Sequence, residues 1–180
     1  MSVNVVAAKK NKALFLDRDG IINEDVRYAH TPEQIRFCNG IFDLCRVARD
    51  KGYLLIVVTN QAGVAKGHFS EEQVRVLHAW MAKQFADRGV PVTAFYYCPY
   101  HKEGIIAHYR KDSECRKPKP GMFIQAADEH DIDLSRSLMV GDKNSDRITL
   151  PDLKCVIVKS DYTTEGYDVG SIADVIPLLI

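Results

Sequence analysis

Four carboxylates in this chain directly follow short apolar runs, where they could act on one substrate. The first two are separated by a single residue, and Gly20 comes next and permits a sharp turn. Carboxylate oxygens suit Mg²⁺. One carboxylate of such a set could attack phosphorus while another transfers a proton. The four are Asp17, Asp19, Asp142 and Asp146.

Neutral and cationic groups that could hold a phosphoryl group occur at two other places. Thr59, Asn60 and Gln61 follow another apolar run and offer a hydroxyl and two amides. Arg116 and Lys117 begin a cationic segment that contains two prolines. Such groups can donate to phosphoryl oxygens or neutralise their charge. Each motif alone has a simpler explanation, since Asp-x-Asp is commonly a turn or a helix cap, but together they predict phosphoryl transfer.

The scaffold is predicted by an alternation of apolar runs and amphipathic segments. Continuous apolar runs suit strands that are covered on both faces, as in a parallel sheet. The alternation therefore predicts a doubly wound α/β fold with a mostly parallel sheet. Ligands of such folds bind beyond the carboxyl ends of the strands, where the polar groups above are found. The predicted strands are 13–16, 54–58, 94–97, 137–140 and 155–158.

One helix has clear start and stop signals. Ser70 and Gln73 have the spacing of a capping box, and an apolar stripe follows at spacings of three and four residues. Gly89 and Pro91 end the helix. The stripe consists of Val74, Leu77, Met81 and Phe85. Weaker helical patterns cover 40–51, 121–130, 144–150 and 171–179.

Length, charge and cysteine content limit the class of protein. The chain has 180 residues, which suits a single domain over 1–180. Because 24 basic residues balance 24 acidic ones, no nucleic-acid binding by charge is expected. No apolar run approaches the roughly 18 residues of a membrane span, and residues 1–12 lack a secretory pattern. We therefore expect a cytoplasmic protein whose five cysteines are reduced.

The strand-end motifs resemble those of the haloacid dehalogenase (HAD) superfamily of phosphatases. The matching positions are 17–20, 59–60, Lys117, and 141–142 with Asp146, while Ile21 replaces the usual threonine. A closer resemblance, over most of the chain, is to the D-glycero-D-manno-heptose-1,7-bisphosphate 7-phosphatase family. It implies a HAD-like, Rossmannoid fold with a minimal cap, and a monomer acting on a sugar phosphate in lipopolysaccharide or surface-glycan synthesis. The motifs matching this family are 15–20, 58–61, 96–99, 115–118 and 140–143.

The resemblance also implies a role for each matched position. Asp17 would be the nucleophile and Asp19 the general acid and base. Thr59 and Lys117 would stabilise the transferring phosphoryl group. Mg²⁺ would be held by the carboxylates of Asp17 and Asp142 and by the backbone carbonyl of Asp19, with Asp146 ordering these ligands from behind. Substrate contacts would come from Asp25, Arg27, Tyr28, Thr59, Asn60, Gln61, Arg116, Lys117 and Lys143.

The family often carries a structural zinc in the loop after the third strand, and its ligand pattern is incomplete here. Cys98 and Cys115 match two ligands, while Tyr100 and Ser113 replace a histidine and a cysteine. Because a closed zinc site needs four ligands, we expect no zinc and expect both cysteines to be free, partly buried thiols. Substitute ligands would require a rearranged loop, and the candidates are His101, His108 and Asp112.

Three functions remain open at the level of sequence. The first is a Mg²⁺-dependent phosphatase that removes the C7 phosphate of heptose 1,7-bisphosphate through an aspartyl-phosphate. The second has the same mechanism but acts on histidinol phosphate or another small phosphomonoester. The third is an inactive sugar-phosphate-binding module, which the intact acidic motifs disfavour. Surface or helix-face roles are expected for His30, His68, His78 and His130, and a packing role for Trp80.

Overall fold

A five-stranded parallel sheet lies at the centre of the computed structural model, which describes residues 10–180. Residues 1–9 lie outside the described part. The expectation that residues 1–12 lack a secretory pattern, and the start of the predicted domain 1–180, fall mostly or partly on these residues. The strands are Lys12–Leu16 (β1), Tyr53–Asn60 (β2), Ala94–Cys98 (β3), Leu138–Gly141 (β4) and Lys154–Ile157 (β5). Their order is β3-β2-β1-β4-β5, and every pair is parallel. The predicted doubly wound fold is confirmed.

The central position of β1 in the sheet explains why its residues are continuously apolar. Leu14 is paired with Leu55 on one side and with Leu138 on the other. The four residues 13–16 are completely buried. A strand covered on both faces leaves no solvent-facing position for a polar side chain, so the alternating pattern of an exposed strand is absent.

Three α-helices cover the two faces of this sheet. They are Ile41–Asp50 (α1), Glu71–Asp87 (α2) and Gly121–Glu129 (α3). Leu14 and Leu16 face the side covered by α1 and α2, whereas Phe15 faces α3 and packs against Phe123 in a tilted arrangement with ring centroids 5.0 Å apart. Successive strand residues therefore bury against different helices, as the twofold repeat of a strand requires.

The strongest helix prediction is confirmed in detail. The backbone N–H of Gln73 donates to the Ser70 hydroxyl at 3.2 Å, and the Ser70 N–H donates to the Gln73 side chain at 2.9 Å. Both donors would otherwise lack a partner at the start of α2. The predicted apolar stripe is buried throughout; its members are Val74, Leu77, Met81 and Phe85.

Two weaker helix predictions are wrong. Within 144–150 only 144–146 form a 3-10 turn, because the Asp146 side chain turns back to cap the preceding loop and Pro151 disfavours helical geometry at the residue before it. Within 171–179 the chain forms a 3-10 helix, Ile172–Leu178, instead of an α-helix. Pro177 lies inside this segment and has no N–H to donate.

The longest connections cross the carboxyl edge of the sheet without forming a further domain in the described residues. The connections 17–40 and 99–120 each contain only one short 3-10 turn, at Pro32–Gln34 and Ala107–Tyr109. This arrangement fits the predicted minimal cap. Within residues 10–180, the helices are all too short or too polar to cross a membrane.

Candidate active site

The predicted chemical groups meet beyond the carboxyl ends of β1, β2 and β4. These strands are neighbours and run parallel, so their carboxyl ends form one edge of the sheet. A cavity of about 180 Å³ opens at this edge. It is lined by Asp17, Asp19, Thr59, Asn60, Ala62, Arg116, Lys117, Lys143 and Ser145.

Lys117 is the buried cation of this cavity. Its Nζ lies 2.8 Å from Asp17 Oδ1 and 2.6 Å from Asp146 Oδ1, and it also donates to the carbonyl of Val58 at 3.0 Å. Burial lowers the pKa of Lys117, but the charges of Asp146 and Asp17 outweigh burial and raise it overall. The lysine therefore stays charged.

Asn60 fixes the backbone that carries this lysine. Its side-chain Oδ1 accepts from the Lys117 N–H at 3.0 Å, and its Nδ2 donates to the Lys117 carbonyl at 3.1 Å. The pair of hydrogen bonds ties the cationic segment to the end of β2. Asn60, a predicted substrate contact, thus also positions Lys117.

Three buried carboxylates give the cavity an excess of negative charge. One ligand oxygen each from Asp17, Asp142 and Asp146 lie within 4.8 Å of one another. Burial raises the pKa of Asp142 to about 7, and the charge of Asp17 adds to this effect. Burial likewise raises the pKa of Asp17 to about 6, although Lys117 opposes the shift. One lysine does not balance three carboxylates, so the cluster suits a divalent cation.

The oxygens available to such a cation can be identified from their hydrogen bonds. Asp142 Oδ1 is buried and has no hydrogen-bond partner among residues 10–180. Asp17 contributes one carboxylate oxygen to the same cluster, and both Lys117 and the backbone N–H of Arg18 approach its Oδ1. The carbonyl of Asp19 accepts no backbone hydrogen bond in the described chain. These groups fit the predicted Mg²⁺ ligands.

The carboxylate of Asp146 faces protein groups with both of its oxygens. Its Oδ2 accepts from the backbone N–H groups of Asp142 and Lys143 at 3.1 and 3.0 Å, while its Oδ1 faces Lys117. Its Oδ2 thus accepts two backbone hydrogen bonds, and its Oδ1 forms an ion pair with Lys117. A Cβ on Gly141 would overlap this side chain, so glycine is needed for the close approach.

Asp19 lies at the boundary of the cavity and is held by three donors. Arg18 Nη2 lies 3.1 and 2.9 Å from its two carboxylate oxygens, Asn23 Nδ2 donates at 3.0 Å and Gln61 Nε2 at 3.1 Å. Its side chain is 17% exposed. The carboxylate is thus oriented by protein groups and accessible to a substrate.

A larger cavity of about 380 Å³ adjoins the first and shares Asp19 with it. Lys143 reaches across its wall to Asp25, with Nζ and Oδ2 2.7 Å apart. Arg27 and Tyr28 have φ values of 55° and 56°, a left-handed geometry that is unfavourable for such residues and concentrates at functional sites. The wall is formed by Asp19, Asp25, Arg27, Tyr28, Asn60, Gln61, Ala62, Gly63, Lys143 and Tyr162.

The two cavities bring together the proposed catalytic and substrate-contacting residues, but Asp142 and Asp146 line neither of them, and other lining residues were missed by the sequence. Ser145 lines the smaller cavity and lies inside the motif after β4. Tyr162 lines the larger one, where its ring lies 4.4 Å from Lys143 Nζ. No motif marks Tyr162; its position shortly after the end of β5 is the signal that could have found it.

One expectation about other side chains is wrong. Cys98 and Cys115 are not free thiols: the structure joins them in a disulfide, with Cα atoms 5.5 Å apart. The end of β3 and the cationic segment are brought together because Asn60 holds Lys117 beside β2. Of the two positions expected for His78, surface or helix face, the structure shows the helix face: His78 lies on the buried face of α2 and is 5% exposed.

Comparisons with known proteins identify the family. A sequence profile for HAD-hydrolase-like proteins matches residues 114–149. The D-glycero-alpha-D-manno-heptose-1,7-bisphosphate 7-phosphatase of Burkholderia mallei is 50% identical over 137 residues, which cover 76% of this chain and 72% of that protein. The D-glycero-beta-D-manno-heptose-1,7-bisphosphate 7-phosphatase of Pasteurella multocida is 45% identical over 179 residues, which cover 94% of this chain and 96% of that protein.

A solved structure agrees with these sequence relatives. The D,D-heptose 1,7-bisphosphate phosphatase of B. bronchiseptica, complexed with magnesium and phosphate, has a TM-score of 0.74 and 25% identity. The alignment covers 93% of this chain and 97% of that one. This chain therefore belongs to the D-glycero-D-manno-heptose-1,7-bisphosphate 7-phosphatase family of HAD-type phosphoric monoester hydrolases.

Proposed function

We propose that this chain removes the C7 phosphate of D-glycero-D-manno-heptose 1,7-bisphosphate with the aid of Mg²⁺, through an aspartyl-phosphate on Asp17. The observation that carries the proposal is the buried ion pair of Lys117 with Asp17 beside the further carboxylates of Asp142 and Asp146. It supports the proposal because the proposed nucleophile, a cation and acidic side chains suited to a metal lie next to one another at the family's motif positions.

The first step would transfer the phosphoryl group to the protein. Lys117 and the backbone N–H of Arg18 approach Asp17 Oδ1, so Oδ2 is the oxygen that would attack phosphorus. The bond from phosphorus to the C7 oxygen breaks, and Asp19 gives its proton to that oxygen. Thr59, which is 1% exposed, and Lys117 would stabilise the phosphoryl oxygens as charge develops on them.

The second step would return the protein to its starting state. Asp19, now deprotonated, takes a proton from a water molecule that attacks phosphorus. The bond from phosphorus to Asp17 breaks and inorganic phosphate leaves. One group thus acts as acid and then as base, and its place at the boundary between the two cavities fits both tasks.

The carboxylates of Asp17 and Asp142 and the carbonyl of Asp19 would hold Mg²⁺, with Asp146 behind them. A bound Mg²⁺ would neutralise phosphoryl charge and screen the repulsion between the nucleophile and its substrate. The unpartnered Asp142 Oδ1 supports this assignment from the structure.

The larger cavity would hold the heptose and its second phosphate. Arg27 and Lys143 lie in its wall, and Arg116 lines the smaller cavity. A bisphosphate calls for cationic groups at two places, and this distribution provides them. Asp25 and Tyr28 would contact the sugar hydroxyls and ring, with Asn60 and Gln61 at the junction of the cavities. A monomer in the cytoplasm, acting on a small sugar phosphate without nucleic acid or membrane, stays a prediction from the sequence.

Side-by-side kinetics would test the proposal. The purified protein is assayed with both anomers of heptose 1,7-bisphosphate and with histidinol phosphate, and the position of the remaining phosphate is read by NMR. We expect the larger kcat/KM for a heptose bisphosphate, with heptose 1-phosphate as product. A preference for histidinol phosphate would replace this proposal with the alternative substrate, and equal activity of an Asp17→Asn variant would exclude Asp17 as nucleophile.

A further inference from the structure

Arg18 is a completely buried charge that the reaction described above does not use. It lies between Asp17 and Asp19 in sequence, and its side chain has no exposed surface. Its Nη2 lies within hydrogen-bond distance of both Asp19 oxygens, of the Ala29 carbonyl at 2.9 Å and of Gln61 Oε1 at 3.2 Å. A buried guanidinium is costly unless it is paired, and the pairing partner is the carboxylate of Asp19.

His78 holds the other end of this guanidinium. Its Nε2 lies 3.3 Å from Arg18 Nη1. Arg18 Nε has no partner among residues 10–180, so the orientation of the guanidinium depends on its two terminal nitrogens. His78 is fixed in turn by ring packing, since its centroid lies 4.8 Å from that of Phe95 and 5.8 Å from that of Tyr97.

The imidazole must be neutral and must accept at Nε2. An arginine can only donate, so a contact between its N–H and the ring requires a lone pair on Nε2 and places the ring proton on Nδ1. Burial, followed by the nearby charge of Arg18, lowers the pKa of His78 to about 3, in agreement with a neutral ring.

We propose that Arg18 and His78 are positioning residues for proton transfer: Arg18 orients the Asp19 carboxyl group at the boundary of the two cavities, and His78 acts through Arg18. This inference rests on the proposed function, in which Asp19 protonates the leaving oxygen and then deprotonates water.

The geometry explains why both residues are needed. Asn23 and Gln61 each donate to one oxygen of Asp19, but Arg18 contacts both carboxylate oxygens through one nitrogen and thereby holds the carboxylate in place. If the acceptor on His78 is removed, the Nη1 end of the guanidinium loses its contact and the planar group is free to tilt. A displacement of about 1 Å in a proton-transfer group costs about a hundredfold in rate.

Two substitutions at position 78 separate this role from packing. His78→Phe keeps a ring and removes the acceptor, whereas His78→Gln keeps an acceptor that can face Arg18 Nη1. With an alkyl phosphate substrate, we expect His78→Phe to lower kcat/KM by about a hundredfold. His78→Gln should keep kcat/KM within about threefold of the wild-type value. The inhibition constant of inorganic phosphate should stay unchanged in both variants, since Lys117 and Thr59 are not disturbed.

The leaving group provides a readout that a merely structural defect would not produce. p-Nitrophenolate leaves without a proton, so kcat/KM for p-nitrophenyl phosphate should fall by less than about threefold in His78→Phe. Met81→Ala, a cavity-forming change on the same buried face of α2 with no polar contact, is the matched control and should not alter the ratio between the two substrates. If His78→Phe does not fold, Arg18→Lys, which keeps the charge but loses the planar fork, should show the same selective loss.

Three results would overturn the inference: equal losses with the alkyl and aryl esters, a loss of less than threefold with the alkyl ester, or no recovery in His78→Gln. The alkyl ester is heptose bisphosphate when the wild type turns it over, and histidinol phosphate otherwise. A failure of the proposed substrate thus appears in the wild type, whereas a failure of the positioning role appears in the ratio between the variants.

Discussion

Replacement of Lys117 by methionine tests the electrostatic core of the site. The lysine Nζ lies 2.8 Å from Asp17 and 2.6 Å from Asp146, and its side chain is 1% exposed. Methionine has a similar length, so the substitution removes the charge and leaves little empty volume. The carboxylates that remain are buried without their cation.

The expected loss of stability in Lys117→Met follows from the burial of the ion pair. Removing one partner of a buried ion pair costs about 3–5 kcal/mol. In a domain of this size each kcal/mol changes Tm by about 2–4 °C, so we expect a decrease of roughly 6–20 °C for the metal-free protein. Activity should fall by about a hundredfold or more because a donor to the phosphoryl group is also lost.

The loss of folding stability in Lys117→Met should increase with pH. Lys117 lowers the pKa of Asp17 against the larger effect of burial, so its removal raises that pKa further above the unfolded value. A carboxyl group whose pKa is raised on folding contributes stability below its unfolded pKa and loses that contribution as pH rises through its folded pKa. The difference between variant and wild type should therefore grow between pH 5 and pH 8.

Urea denaturation in the presence of a chelator at pH 5 and pH 8 measures this difference. Lys119→Met is the matched control, because Lys119 pairs with Asp112 and Glu114 at the surface and its side chain is 35% exposed. It should cost no more than about 1 kcal/mol. The reasoning is refuted if Lys117→Met costs no more than this control, or if its cost does not increase with pH.

Three further outcomes are expected. Asp17→Asn should abolish hydrolysis and leave the fold intact, since it removes one of three clustered charges; a melting curve and initial rates check this, and retained activity would contradict it. Gly20→Ala should cost about 2 kcal/mol or more and weaken activation by Mg²⁺, because the residue has φ +97° and its Cβ would overlap the Asp142 carboxylate; unchanged Tm and Mg²⁺ dependence would count against the described geometry. Burial raises the pKa of Asp142 to about 7, so protons compete with the metal below that pH, and the Mg²⁺ concentration for half-maximal activity should rise up to about tenfold from pH 7 to pH 6; a half-maximal concentration that does not change with pH would contradict this assignment.

The scaffold was predictable because its signals are local. The five buried strands are continuous apolar runs, and the capping box at Ser70 and Gln73 marks the start of α2 by side-chain chemistry alone. Once the strands are known to be parallel, the positions of Asp17, Thr59 and Asp142 at one edge follow from topology.

What could not be predicted depends on tertiary contacts. The contact between Arg18 and His78 forms because the loop that follows β1 buries Arg18 against the inner face of α2, and the two residues are 60 positions apart. Cys98 and Cys115 are paired where the returning loop lies beside the end of β2, to which Asn60 ties Lys117. Tyr162 reaches the larger cavity from a segment without any sequence motif. No pattern within one element encodes such contacts.

The central claim is that a carboxylate oxygen of Asp17 bonds to phosphorus. A crystal structure of the protein with Mg²⁺ and beryllium fluoride tests it most directly, since that reagent mimics a phosphoryl group on an aspartate. We predict beryllium bonded to Oδ2 of Asp17, with its fluorines facing Lys117 and Thr59. Beryllium fluoride bonded to another side chain, or bound with no bond to Asp17, would contradict the claim.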